Sequence, residues 1–442
     1  MKRYSLSRRN FLSGAAAVAA SVTIVPRHVL GGEAGKAPSD KLNIACVGVG
    51  GRAGAHVDAA GGQNLIALCD VDKGRLAGQG KRFPKAKTFT DYRKMLDEVA
   101  KEIDAVFVAT PDHHHAFATM AAIKLGKHVY CEKPLTHSVW EARQVAEAAR
   151  KAKVATQMGN QGLSEDGPRQ LTEWIAAGAI GGVTEVHIWT DRPGGWWPQG
   201  FKERLPTKPV PANLDWDMWI GAAPYRDYHD KLHPFAWRGW WDFGTGALGD
   251  IGCHAMAPVF MALKLGLPTA LEAETSGSSV ESGPNWSIIK YEFPARGEMP
   301  PVKLTWYDGG KMPARPEEYE KDRKWDNNGT LLVGDKGKIM LFGYNPRIIP
   351  EAKMKDFKLP EKTLPRVPGG NHHEDWFIAC RGGRPACSNF DFAGPLAEAV
   401  LAGNIAVRVG KRIEWDGPNM KAKNAPEADA LVHREYRKGW TL

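Results

Sequence analysis

Apolar positions in the first third of the chain fall in short, nearly continuous runs: Leu42–Val47, Leu65–Cys69, Ala105–Ala109, His128–Cys131 and Val154–Gln157. Runs this short, apolar on both faces, are the mark of strands buried from both sides in a parallel sheet. Between them, residues 53–60, 91–99, 117–125 and 141–151 carry mixed polar and apolar positions at helical spacing. Strand–helix alternation at this pace predicts an α/β fold with a doubly wound parallel sheet. Such sheets take their ligands at the carboxyl ends of the strands. Gly48, Asp70, Thr110 and Glu132 all fall at such ends.

Past residue 160 the pattern changes. Ser287–Phe293, Val302–Tyr307, Thr330–Val333 and Lys338–Phe342 read as strands of a second sheet, and Phe392–Val407 as a closing helix. Residues 345–370 are rich in Pro and Lys and read as an exposed excursion. A chain of 442 residues is longer than one core usually serves. We divide it into a leader and linker at 1–38, a first domain at 39–160 and a second at 161–442. No run after the leader reads as long and apolar enough to span a bilayer.

The leader contains Ser7-Arg8-Arg9-Asn10-Phe11-Leu12, followed by an Ala-rich, weakly apolar stretch to Val25. An arginine pair before such a run resembles a twin-arginine export signal, and the run falls short of the ~20 residues of a membrane anchor. This predicts a periplasmic or otherwise exported protein. Six basic residues and one acid lie in 1–38, so about half of the net charge of +9 belongs to the leader. The small remainder, with no basic stripe carrying interleaved aromatics, argues against a nucleic-acid partner. The six cysteines form no CxxC pair; Cys46 and Cys69 read as buried hydrophobes, and Cys380 and Cys387 are close enough along the chain to pair, though free thiols are favoured.

The strand ending at Val47 runs into Gly48-Val49-Gly50-Gly51-Arg52-Ala53, a G-x-G-x-x-A pattern. Gly48 permits the turn, Gly50 lets backbone approach a pyrophosphate, and Ala53 brings the next helix close to the sheet. The helix N-terminus then offers free N–H groups to phosphates. Asp70 stands at the end of the second strand, about twenty residues on, where an acid bonds adenosine ribose hydroxyls. It would repel a 2′-phosphate, so the pattern favours NAD over NADP, although Arg52 and Arg75 could still meet a phosphate.

Four stretches resemble the Gfo/Idh/MocA family of glucose–fructose oxidoreductase and inositol dehydrogenase: residues 47–52, residues 109–115, Gly126-Lys127-His128-Val129-Tyr130-Cys131-Glu132-Lys133-Pro134-Leu135, and Asp250-Ile251-Gly252-Cys253-His254. The third is the most specific, and the order fits from about residue 40 to 410. The resemblance implies a Rossmann domain followed by an α/β domain with a large, mainly antiparallel open sheet, whose face floors the substrate site and joins subunits in a dimer or tetramer. It also implies that Lys133 is the active-site lysine, that Asp250 and His254 are the family's Asp-x-x-x-His pair, and that Thr110, Pro111, His115 and Glu132 lie beside the cofactor. With Gly48, Gly50, Gly51, Arg52, Asp70 and Lys133 these make up the expected cofactor site.

Oxidising a secondary alcohol requires a group to take the hydroxyl proton while hydride leaves carbon. A neutral imidazole suits that task, which points to His254 as base. Asp250, four residues earlier, would share its helix face and stabilise an imidazolium, or touch the sugar directly. Lys133 would hydrogen-bond the reacting oxygen. The His113–His115 run and His372-His373-Glu374-Asp375 lack metal-ligand spacing, so no metal is expected, and a supporting role suits His372 or His373 better. Residues 196–241 hold seven tryptophans among arginines and histidines. Trp197, Arg238 and Trp240 are the candidates to line a carbohydrate pocket, against a plain core role.

The function these readings favour is hydride transfer between a sugar, glycoside or polyol and a nicotinamide held tightly enough to be loaded before export. The alternative is a redox-neutral, NAD-dependent glycoside hydrolase or lyase working through a transient keto-sugar.

Overall fold

The computed structural model describes residues 40–442, so the export-signal reading of the leader lies outside the described residues. The first sheet is built from β1 (Asn43–Val47), β2 (Asn64–Cys69), β3 (Lys87–Phe89), β4 (Ala105–Val108), β5 (His128–Cys131) and β6 (Thr156–Met158). All are parallel, in the order β3-β2-β1-β4-β5-β6. This is the Rossmann order, with its switch point between β1 and β4. The connecting helices are α1 (Ala53–Gly61), α2 (Lys73–Arg82), α3 (Tyr92–Val99), α4 (Asp112–Lys124) and α5 (Val139–Ala152). Asp72, Asp91 and Ser138 cap α2, α3 and α5 by accepting first-turn backbone N–H groups, and Ser138 with Glu141 forms a reciprocal capping box.

The second sheet has nine strands, in the order β13-β12-β11-β7-β10-β9-β8-β14-β15. They are β7 (Val183–Trp189), β8 (Ala270–Thr275), β9 (Ser287–Phe293), β10 (Val302–Tyr307), β11 (Gly329–Gly334), β12 (Lys338–Phe342), β13 (Asn345–Ile349), β14 (Ile413–Asp416) and β15 (Lys421–Ala422). Only β7 and β10 run parallel; the other pairings are antiparallel. The two sheets fall on either side of residue 160, yet residues 43–442 pack as one compact unit. The helix α6 (Phe390–Val409) explains this, because it packs against α5 on one side and β8 and β9 on the other.

Three expectations need correction. Residues 345–349 are not part of an exposed excursion: Asn345–Ile349 pairs with β12, and Ile348 and Ile349 are buried. The helix of the first histidine run begins at Asp112, not Phe117, so all three histidines lie in its opening turns. And α6 is in fact long and apolar enough to cross a membrane, but 72% of its most apolar stretch is buried inside the fold. Its Ala-rich surface serves close helix and sheet packing.

Candidate active site

The carboxyl ends of β1, β2, β4 and β5 open into one cleft of about 620 Å³. One end is built by the glycine turn. Gly48 has φ +80°, and a Cβ there would come within 2.6 Å of the Ala109 carbonyl oxygen, so only glycine fits between β1 and β4. Asp70 closes β2, accepting hydrogen bonds from the Val49 and Asp72 backbone N–H groups at 2.9 Å each. Burial pushes its carboxyl pKa up against those bonds. Thr110 Oγ1 is buried in the wall with no hydrogen-bond partner among the described residues. A glycine-rich turn, an acid at the strand end and an unsatisfied hydroxyl together fit a dinucleotide.

The other end is polar and charged. Lys133 follows β5. The helix Gly246–Ala255 carries Asp250 and His254 one turn apart. Lys133 Nζ donates to Asp250 Oδ1 at 2.6 Å and to the Asp250 carbonyl at 2.8 Å, and Arg238 Nε donates to the same Oδ1 at 3.1 Å. Burial alone would push the Asp250 carboxyl up, but the Lys133 and Arg238 charges outweigh it and hold it down at about 2. Asp250 is therefore an anion clamped by two cations, in the second helical turn and not at the helix start.

His254 does not pair with Asp250. Its Nδ1 lies 3.2 Å from the Tyr344 hydroxyl. Tyr344 sits in the β12–β13 turn and reaches across Gly162, where a Cβ would collide with its ring at 1.7 Å. Burial, and then the Lys133 charge, lower the His254 pKa to about 4, so its imidazole is neutral near neutral pH. Glu132 is supported from behind. Its Oε1 accepts from His56 Nε2 and Gln161 Nε2, both at 2.8 Å, and His56 Nδ1 lies 2.8 Å from His373 Nε2. Burial would raise the Glu132 carboxyl pKa, but His56, Lys133 and Arg52 hold it well below the usual range.

The cleft is lined by Gly48, Gly50, Gly51, Arg52, Asp70, Thr110, Pro111, Glu132, Lys133, Asp250 and His254, and by Trp197 and Arg238. Two expected residues lie elsewhere. His115 is 1% exposed, its ring held between the carbonyls of Pro134 at 2.6 Å and Thr110 at 2.8 Å, so it braces the wall from behind. Trp240 is fully buried, stacked on Phe201 at 4.7 Å, with its indole N–H on the Lys231 carbonyl. It belongs to a small aromatic core, and Trp237 lines the cleft instead.

His113 and His114 both point a ring nitrogen at the Trp219 carbonyl, each at 2.8 Å. Among the described residues no cluster of His, Cys, Asp and Glu could hold a metal ion. His372 is buried against Ser164 Oγ and the Met158 carbonyl. Tyr344, His56, Gln161 and Phe235 went unread in the sequence, and Trp196 was read only as part of the tryptophan-rich segment. Only the neighbourhood of Trp196, a Trp pair between glycines and a proline, carried a signal.

Residues 42–160 match the oxidoreductase family's NAD-binding Rossmann fold, and residues 169–442 match its C-terminal alpha/beta domain. The inositol 2-dehydrogenase of Salmonella typhimurium is 30% identical over 152 residues, 33% of this chain and 45% of that protein. The D-xylose 1-dehydrogenase (NADP(+)) of Hypocrea jecorina is 36% identical over 178 residues, 40% of this chain and 38% of that protein. The matched region thus spans less than half the length of these curated relatives. Among solved structures, the WlbA dehydrogenase of Bordetella pertussis, in complex with NADH and UDP-GlcNAcA, aligns with TM-score 0.58 at 17% identity, over 85% of this chain and 99% of that one. An inositol dehydrogenase homolog from Azotobacter vinelandii, complexed with NADH and myo-inositol, aligns with TM-score 0.54 at 17% identity, over 85% and 98%. At these identities the structural likeness speaks for the fold alone.

Proposed function

The chain belongs to the Gfo/Idh/MocA oxidoreductase family, and from that membership we propose that it transfers a hydride between a secondary alcohol of a sugar, glycoside or polyol and a nicotinamide. One observation carries the reading: a single cleft joins the glycine turn and Asp70 to the Lys133–Asp250–Arg238 cluster and a neutral His254. The relatives named for inositol and xylose support the substrate class. Gly48, Gly50, Gly51, Arg52, Asp70 and Thr110 would hold the dinucleotide, which when bound supplies the hydride acceptor.

The protein's part is positioning and proton movement. Lys133 donates two ammonium N–H groups to Asp250, which leaves the third for the reacting oxygen, where it stabilises developing negative charge. His254 Nδ1 is engaged by Tyr344, which leaves Nε2 to take the hydroxyl proton. Lys133 and then Arg238 hold the Asp250 pKa down at about 2, so its carboxylate is too weak a base to compete for that proton.

We further propose that the protein is exported by the twin-arginine route with its dinucleotide, NAD in preference to NADP, already bound. The arginine pair before Phe11 and the acid at Asp70 support this. The test uses the purified full chain. Retained dinucleotide is measured by mass spectrometry after gel filtration, and polyols, free sugars and aryl glycosides are screened for nicotinamide reduction. Reduction by a polyol or sugar, lost in Lys133→Met with dinucleotide retained, is the expected result. Aglycone release with no net reduction would overturn the simple dehydrogenase reading. Dinucleotide lost on gel filtration would overturn the retention.

A further inference from the structure

Apart from Arg238, the mouth of the cleft carries side chains that this chemistry does not use. Two loops frame its mouth: Arg192, Trp196 and Trp197 come from the loop after β7, and Phe235, Trp237 and Arg238 from the segment before the Asp250 helix. Trp196 is 52% exposed and Phe235 44%, whereas the Lys133 and Asp250 side chains on the floor are 14% and 15% exposed. Large rings left in water at the lip of a reactive cleft are surface waiting to be covered. The arginines are stacked with them. Arg192 lies 3.7 Å from the Trp196 ring centre, and Arg238 lies 4.2 Å from Phe235 and 4.3 Å from Trp237.

Both arginines are held by carboxylates, Arg192 by Asp191 and Arg238 by Asp250, which Lys133 shares. The rim therefore offers flat apolar faces and hydrogen-bonding groups whose guanidinium charges are already engaged by carboxylates. That is the chemistry of a neutral pyranose ring, whose C–H face stacks on an aromatic and whose hydroxyls meet guanidinium and carboxylate. A nucleoside diphosphate fits less well, because its phosphates would need cations that Asp191 and Asp250 already occupy.

We propose that the rim is an outer subsite for a neutral sugar ring. The substrate is then a glycoside or oligosaccharide of at least two rings, one reacting at Lys133 and His254, the next stacked on Trp196 and Phe235. This rests on the reading of the cleft as a sugar oxidoreductase site.

The experiment is calorimetric titration of the full chain, and of Trp196→Ala and Phe235→Ala, with methyl glucoside, methyl maltoside, methyl cellobioside and UDP-glucose. At least one disaccharide glycoside should bind about tenfold or more tighter than the monosaccharide. Both variants should lose that advantage while monosaccharide binding stays within about twofold. Equal binding of one and two rings, equal loss for both in the variants, tightest binding of UDP-glucose, or no binding of any glycoside would each overturn the proposal. The underlying reading fails separately: a disaccharide that binds as expected but never reduces the nicotinamide refutes the oxidoreductase chemistry and leaves the subsite standing.

Discussion

Replacing Lys133 with methionine should raise the pKa of His254. That imidazole is pulled from an ordinary 6.5 to about 4, first by burial and then by the Lys133 charge, with Glu132 and Asp250 pulling weakly the other way. The shift corresponds to at most about 3 kcal/mol, less in practice because His254 faces an open cleft. Since burial leads, removing the Lys133 charge should restore only part of it, on the order of one pKa unit. Arg238 still neutralises Asp250 in the variant, so the fold should survive.

The assay is NMR titration of the histidine rings, with His254 assigned by its loss in His254→Gln. Lys133→Arg is the control, because it keeps the charge and should keep the pKa low. A His254 pKa at or above 6.5 in the wild type, or no rise in Lys133→Met, would refute the reasoning. The same shift has a stability consequence with a definite sign. The unfolded chain takes up a proton near pH 6.5 and the folded chain only near pH 4. The folded state therefore loses stability as pH falls through that window. His254→Gln should flatten this slope.

Three further outcomes follow from the same geometry. His56→Ala removes a hydrogen bond from buried Glu132 and should cost about 1–3 kcal/mol in urea unfolding, with His56→Gln recovering part. Trp240→Ala should cost about 3–5 kcal/mol in the same assay and leave ligand preference unchanged, whereas Trp237→Ala, in the same aromatic cluster but also lining the cleft, should cost stability and alter ligand binding as well. Gly162→Ala should push Tyr344 off His254 and reproduce the change in the His254 ring-nitrogen NMR signals given by Tyr344→Phe.

Five strands of the first sheet were legible because they are short, apolar on both faces and separated by helical periodicity; the edge strand β3, Lys-Thr-Phe with two exposed positions, and the polar helix α2 before it were not. The glycine turn was legible because its function constrains backbone at fixed spacing. The central strand β7 was not, since Thr184, Glu185 and His187 interrupt any simple alternation and its partners lie more than a hundred residues away. Local spacing put Asp250 and His254 on one helix face, but their partners come from elsewhere. Lys133 and Arg238 capture the first and Tyr344 the second, and no sequence period records such long-range contacts. The tryptophans between 196 and 241 lie in loops and helices of at most five residues, too short for any period to separate a fully buried ring such as Trp240 from one that also meets the cleft, such as Trp237. His115 shows the same limit: helix α4 has its first turns buried on every side, so only tertiary packing decides which histidine meets the cleft.

The central claim is direct hydride transfer in the cleft that joins Gly48 to Lys133. It is tested by incubating the dinucleotide-loaded protein with sugars and polyols deuterated at each secondary carbon and analysing the nicotinamide by NMR. The account predicts deuterium at the nicotinamide ring carbon that accepts hydride, from one substrate carbon only, and none in Lys133→Met that retains dinucleotide. Substrate conversion with an unlabelled nicotinamide would contradict it.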